Sequence, residues 1–216
     1  MTHPMVSLSD LSYEPGGTRV AVEAAGECAS TLVPTYGDHV ATETIDHVSR
    51  RLQAGDDLAS AMRSLRIADA PRRRARRLGA RERIIIDDRA STTVEQLRPS
   101  LQVLAQLGRA GRQTILVLGS LRLEGEGADD PRDELGLLLV RLDIAQLVAI
   151  GADLRRLHLS AGREGSWNGE SVQVDNALQA YDFVRASSED DAVILVCGGE
   201  TPELEHLVSR LCEADA

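Results

Sequence analysis

The sequence predicts an α/β protein in which a doubly wound, mostly parallel sheet follows a smaller α+β layer. Two observations lead there. From residue 83 onward, short runs of Ile, Val and Leu recur, each ending in Gly or an acid, with amphipathic stretches of helical length between them. Before residue 65 the pattern is different: short strand-like stretches separated by Gly-containing turns, then two helical stretches. Unbroken β-branched and Leu-rich runs read as strands buried on both faces, which is the habit of parallel sheets. Strand and helix alternating five times is the pattern of a doubly wound domain.

Taken in order, Leu11–Glu14, Arg19–Ala24 and Ala29–Pro34 read as short antiparallel strands joined by Pro15-Gly16-Gly17 and Ala25-Gly26. Helices are expected at about 38–53 and 56–65, the second capped by Asp56-Asp57 after Gly55. This first domain, 1–70, is thin, and its apolar faces are expected to rest on something outside it. Residues 71–83 read as an Arg-rich linker, and 84–216 as the α/β domain. Its strands are Arg83–Asp88, Thr114–Gly119, Leu147–Gly151, a shorter Val172–Val174, and Ala192–Gly199. Helices are expected at about 93–108, 131–142, 152–161, 175–187 and 201–213. Pro99 lies inside the first of these, where it removes a hydrogen bond and crowds the preceding turn, so it should kink or shorten that helix.

Composition narrows the chemistry. With 2% aromatic residues against 43% hydrophobic, the core must be aliphatic, and stacking platforms for single-stranded nucleic acid are not expected. A net charge of −10 argues against nucleic-acid or membrane partners, because the average surface repels polyanions. Locally, Arg72, Arg73, Arg74, Arg76 and Arg77 form a basic run that fits a solvated linker, a phosphate-bearing ligand or an acidic protein. All 24 basic residues are arginine, so a Walker-type phosphate loop and Schiff-base chemistry are excluded for this sequence by itself. Cys28, Cys197 and Cys212 are an odd number without CxxC spacing, which suits reduced thiols. The first residues carry no basic and apolar leader, and no run approaches the ~18 apolar residues of a membrane span. A soluble, cytoplasmic protein is the expectation. No metal site is expected: the five histidines are scattered, and Glu124, Glu126, Asp129 and Asp130 read as a solvated acidic loop.

Several motifs carry a resemblance. Ile86-Asp87-Asp88-Arg89-Ala90-Ser91-Thr92-Thr93-Val94 resembles the opening of the C-terminal domain of Mur ligases, the ATP-dependent amino-acid ligases of peptidoglycan precursor synthesis. Val117-Leu118-Gly119-Ser120-Leu121-Arg122-Leu123-Glu124-Gly125-Glu126 is similar to the family's next strand-to-loop segment, and Leu147–Gly151 and Val193–Leu207 continue in order. Gly37-Asp38-His39-Val40 stands where the family's central domain carries Gly-Arg-His-Asn. The resemblance runs from about residue 10 to 212 and is nearest the branch that adds D-alanyl-D-alanine to a UDP-N-acetylmuramoyl-tripeptide. It implies a Rossmann-like C-terminal domain behind a remnant of the central domain.

The resemblance also implies site residues. Asp88 matches the aspartate that contacts the ATP ribose, with Asp87 beside it, and Arg73 matches the linker arginine that reaches the nucleotide. The alternative for Asp87-Asp88 is a polar strand end that caps the next helix. Gly119, Ser120, Gly198 and Gly199 form the loops at the ligand edge of the sheet. His39 belongs to the central-domain remnant, structural or catalytic, and its usual Asn neighbour is Val40. Where the family has Lys-Gly-Ser-Arg, this sequence has Cys197-Gly198-Gly199-Glu200, replacing two cations by a thiol and an acid. The family's UDP-sugar domain, phosphate loop and carbamylated lysine are not recognised here. The expectation is therefore a Mur-ligase-like protein without catalytic residues of its own, a binding or regulatory module of peptidoglycan precursor synthesis. It would act as a homodimer, or with a full-length Mur ligase or other cell-wall protein, through residues 1–70. The alternatives are half of a split ATP-dependent acid–amino-acid ligase, with ATP and Mg bound only alongside a partner chain, and a small nucleotide-binding α/β protein.

Overall fold

The computed structural model describes residues 5–37, 39–65, 83–122, 130–163 and 167–213, and the backbone of 74–78. The chain divides into two compact units, Met1–Ala75 and Arg76–Ala216.

The first unit is a three-stranded antiparallel sheet, β1 (Val6–Glu14), β2 (Gly17–Ala24) and β3 (Glu27–Val33), followed by α1 (His39–Gln53) and α2 (Leu58–Arg63). Both hairpins turn in two residues. Gly16 takes φ 104° after Pro15, while Ala25 and Gly26 take φ 53° and 82°, the mirror-image turn whose twist suits a hairpin. Alternation along β2 puts Thr18, Val20, Val22 and Ala24 on one face and Arg19, Ala21 and Glu23 on the other. The apolar face is covered by the unit's own helices: Val20, Val22 and Val33 pack with Val40, Val48, Leu58, Ala61 and Met62. His47 Nε2 and Ser64 Oγ, 3.0 Å apart, tie α1 to the end of α2. Opposite the core, Asp10, Ser12, Arg19, Glu23 and Ser30 make a mostly polar face that also carries the exposed Leu32. Among the described residues the expected bare apolar face is therefore reduced to isolated exposed side chains, Met5, Leu8 and Leu32. The layer is thin, with one face largely covered and the other mostly wet, the ordinary state of an antiparallel sheet.

The second unit carries a six-stranded sheet in the order β4-β5-β9-β6-β7-β8. Its strands are β4 (Arg74–Leu78), β5 (Arg83–Asp88), β6 (Thr114–Leu118), β7 (Gln146–Ile150), β8 (Glu170–Val174) and β9 (Val193–Cys197), and β5 through β9 pair in parallel. Arg74–Leu78, expected as linker, is instead an edge strand. The helices α3 (Val94–Arg109), α4 (Pro131–Arg141) and α5 (Arg155–Arg163, after a single 3-10 turn at Ala152–Leu154) lie on one face, with α6 (Ala177–Ser187) and α7 (Pro202–Glu213) on the other. Strand alternation shows the division. Ile85, Ile115, Val117, Val148, Ile194 and Val196 pack with Tyr181, Val184, Leu204, Leu207 and Leu211 of α6 and α7. Their neighbours Ile84, Ile86, Leu116, Leu118, Leu147 and Leu195, equally buried, face the other way.

Pro99 does not shorten its helix: α3 runs through it for 16 residues. A full capping box starts the helix, Thr93 and Gln96 exchanging side-chain and backbone hydrogen bonds. Burial of Leu97, Leu101, Leu104 and Leu107 then holds both sides of the proline. Among the described residues no helix is long and apolar enough to cross a membrane.

Ala25 is a β-carbon residue in the left-handed region, a strain of about 1–2 kcal/mol that glycine lacks. Ala25→Gly is expected to stabilise the first unit by about 0.5–1 kcal/mol after glycine's own entropy cost. Slower hydrogen exchange of the β2–β3 amides would show it.

Candidate functional site

In an open parallel sheet, ligands sit beyond the carboxyl ends of the strands, where successive loops leave toward opposite faces. Here those loops follow β5, β9 and β6, since α3 and α4 lie on one face and α7 on the other. The sequence places Asp87, Asp88, Gly119, Ser120, Gly198 and Gly199 there, and the structure brings all six to this edge.

Their hydrogen bonds close the edge. The Gly198 N–H donates to Ser91 O at 3.0 Å, the Gly199 N–H to Arg89 O at 2.8 Å, and the Gly119 N–H to Cys197 O at 2.9 Å. Arg122 N–H donates to Thr92 O, and Ser120 Oγ to Gly198 O, each at 2.7 Å. Gly198 sits at φ 93°, and a β-carbon there would lie 2.5 Å from Ser120 N, so only glycine fits. Amides that would otherwise cradle an anion thus donate to the neighbouring loop.

Asp88 is fully buried. Its Oδ2 accepts from Ser91 Oγ at 2.9 Å and from Ser100 Oγ, so one carboxylate ties the strand end to its turn and to the second turn of α3. The helix cap itself is Thr93, not either aspartate. Asp87 grips Arg89 through both oxygens, at 2.8 and 3.1 Å. Asp87 and, more weakly, Glu205 and Glu200 hold the Arg89 guanidinium above its already high pKa, against the opposing effect of burial. Three carboxylates around one cation make this part of the edge acidic. Arg89 was not singled out by the sequence. Its signal was the spacing Asp-x-Arg, which lets a side chain fold back on a strand end.

Arg73, Glu124, Glu126 and Asp129 lie outside the described residues. His39 opens α1 of the first unit, and its Nε2 is shielded and makes no hydrogen bond among the described residues. No three His, Cys, Asp or Glu side chains among the described residues gather as metal ligands would.

A different opening lies where β6 and β7 hand over to their helices. A groove of about 760 Å³ between α4 and α5 is walled by Arg132, Arg155, Arg156 and Arg163, with Asp133 and Asp153. Arg132 is committed, donating to Asp153 O at 2.7 Å and pairing with Asp130 at 3.4 Å. Arg156 pairs with Asp130 at 2.8 Å and Asp133 at 2.5 Å. Arg155 and Arg163 make no ion pair among the described residues. Four guanidinium groups therefore stand against three carboxylates, Asp130, Asp133 and Asp153, a local excess of one positive charge in a chain of net −10. Arg155 opens α5, the positive end of the helix, and no acidic side chain shares that first turn. Local helix chemistry does not account for a cation there. The sequence reading missed these four arginines because they are divided between two segments and form no run.

No protein-family model matches the chain. It is 28% identical over 206 residues to the UDP-N-acetylmuramoyl-tripeptide–D-alanyl-D-alanine ligase of Mycobacterium leprae, covering 88% of this chain and 40% of that protein. The Mycobacterium tuberculosis protein of the same name is 28% identical over 198 residues, covering 88% of this chain and 38% of its own. Its relatives are Mur ligases. Among solved structures, the corresponding ligase of Acinetobacter baumannii superposes with a TM-score of 0.66 at 18% identity, over 96% of this chain and 44% of that one. The Thermotoga maritima MurF ligase, solved with ADP, gives 0.62 at 15% identity, over 95% of this chain and 45% of that one. At that identity the structures establish the Mur-ligase α/β fold. The chain spans about 40% of the length of the curated relatives it matches.

Two outcomes test the site as described. Asp88→Ala removes a buried acceptor and strands two serine hydroxyls, so it should destabilise the second unit by about 2–4 kcal/mol. Urea unfolding followed by Trp167, whose Nε1 donates to Ile144 O within that unit, reads it directly. Asp133 should titrate below the ordinary aspartate range, chiefly through its hydrogen bond to Arg156. A depressed carboxylate contributes its stabilisation at neutral pH and loses it as pH falls through the lowered value. NMR titration should find that midpoint moving up in Arg156→Ala.

Proposed function

We propose that this chain is a Mur-ligase-like binding module that holds an anionic cell-wall precursor and does not by itself transfer phosphate. The observation that carries the reading is the arginine-walled groove between α4 and α5, where Arg155 and Arg163 make no ion pair among the described residues. A guanidinium fork matches carboxylate and phosphate oxygens two at a time. The relatives are named for UDP-N-acetylmuramoyl-tripeptide, whose diphosphate and peptide carboxylates are the groups such forks take. Three features support the non-catalytic half of the reading: the sequence has no lysine, the β5–β9–β6 edge uses its glycine amides internally, and acids surround Arg89.

A second reading follows from the share of the relatives that is matched, about 40%. The chain would supply one half of an ATP-dependent acid–amino-acid ligase whose phosphate loop comes from elsewhere. ATP-dependent coupling on mixing with a phosphate-loop-bearing Mur-ligase fragment, and none with either piece alone, would favour it.

Isothermal titration distinguishes the outcomes for the isolated chain. UDP-N-acetylmuramoyl-tripeptide is expected to bind saturably, to weaken as salt rises, and to lose about tenfold or more in Arg155→Ala/Arg163→Ala. Mg-ATP is expected not to saturate. Equal affinity in the double variant, or no precursor binding, would remove the reading.

A further inference from the structure

On the opposite face of the second unit, α6 and α7 leave between them a groove of about 520 Å³. Ala177, Leu178 and Tyr181 of α6 and Leu207 of α7 line its apolar part. Leu178 stands 56% exposed at its lip, more than the other large apolar side chains described in this unit, Leu137 and Leu159 at 42% and 41%. Tyr181 is a fixed wall. The Arg210 guanidinium lies 3.8 Å over its ring, and Arg185 donates to its hydroxyl at 3.2 Å. The apolar groove beside an apolar knob is one half of the pattern.

The charges of α7 supply the other half. Glu203, His206 and Arg210 run along the groove side of the helix. Glu203 and Arg210 are seven residues apart, two turns on one face and about 10.5 Å along the axis. Glu203 makes no ion pair among the described residues. A helix with an acid at one end of its exposed face and a base at the other, with His206 and Leu207 between, is complementary to itself when reversed. Laying a second α7 antiparallel across a two-fold axis sets each Glu203 against the other copy's Arg210. It also brings each Leu178 toward the other copy's groove. A two-fold axis makes every such contact twice.

We infer that the α6–α7 face is a homodimer interface, occupied by a second copy of this chain. The inference stands apart from the precursor groove, which lies across the sheet on α4 and α5. It also differs from the sequence expectation of dimerisation through residues 1–70, because the first unit's apolar face is already covered by α1 and α2. The contact is compact, so a reversible dimer of micromolar affinity is expected.

Sedimentation equilibrium on the full chain tests it, with the mass rising from 23.3 kDa toward twice that value as concentration increases. Leu178→Asp changes an exposed side chain, should leave the circular dichroism unchanged, and should abolish association. Glu203→Arg should weaken it about tenfold or more by placing like charges together. Adding Arg210→Glu to Glu203→Arg should restore it, since the pair is then reversed on both copies. Circular dichroism checks that Arg210→Glu, which gives up the Tyr181 contact, remains folded; if it does not, Glu203→Arg and Leu178→Asp decide alone. A chain monomeric at all concentrations, a dimer indifferent to Leu178→Asp or Glu203→Arg, or a folded double variant without recovery would each overturn the inference.

Discussion

The second unit depends on a constraint of its sheet: β5, β6 and β9 have no wet face. Every residue from Thr114 to Leu118 and from Val193 to Cys197 is buried, as are all six of β5. Strands of that kind must be covered on both sides, which requires helices on both faces and parallel crossovers between them. Chemistry is then displaced to two places, the loops at the strand ends and the outer surfaces of the helices. At the first, three loops crowd into one edge and use their polar groups on one another. At the second, pairs of helices diverge enough to leave grooves.

The buried Asp88 shows how closely the edge is bound to the core. A carboxylate with no exposure is costly unless its oxygens are used, and Ser91 and Ser100 supply hydroxyls from a turn and a helix. That arrangement fixes where α3 starts relative to β5, and with it the Ser91 and Arg89 carbonyls that receive the Gly198 and Gly199 amides. The edge is one connected network, and a ligand entering it would have to break protein–protein bonds to make its own. The α4–α5 groove asks for no such exchange, because among the described residues Arg155 and Arg163 have no acid to leave.

Much of this was legible in the sequence. The apolar runs at 83–88, 114–119 and 192–199 announced buried parallel strands because nothing polar interrupts them, and Gly119 and Gly198 marked tight exits. Arg74–Leu78 was not legible as a strand, since four charged or small side chains in five positions carry no burial signal. Pro99 misled because local propensity speaks of one residue, whereas α3 is held by its cap and four buried leucines. At the site, residue positions were readable and most partners were not: that Gly199 donates to Arg89 O depends on where β9 inserts between β5 and β6, whereas the return of Arg89 onto Asp87 is local and was carried by the spacing Asp-x-Arg. The arginine run at 72–77 drew attention because it is contiguous. The arginines of the groove come from residues 132 to 163, and only the packing of α4 on α5 makes them neighbours.

With a net charge of −10, the chain repels anions at long range, and the acids around Arg89 extend that repulsion over the β5–β9 edge. Against such a background a local excess of one positive charge does not attract every polyanion; an approaching ligand is turned away unless it can reach the guanidinium forks themselves. Under the proposed reading, selectivity would rest on short-range geometry, two or more anionic groups spaced to meet Arg155 and Arg163, instead of on steering. For a ligand with dispersed negative charge that field would act over most of its length. A compact ligand with a few anionic groups meets that repulsion only in passing, and the reading proposed for the α4–α5 groove draws on this asymmetry.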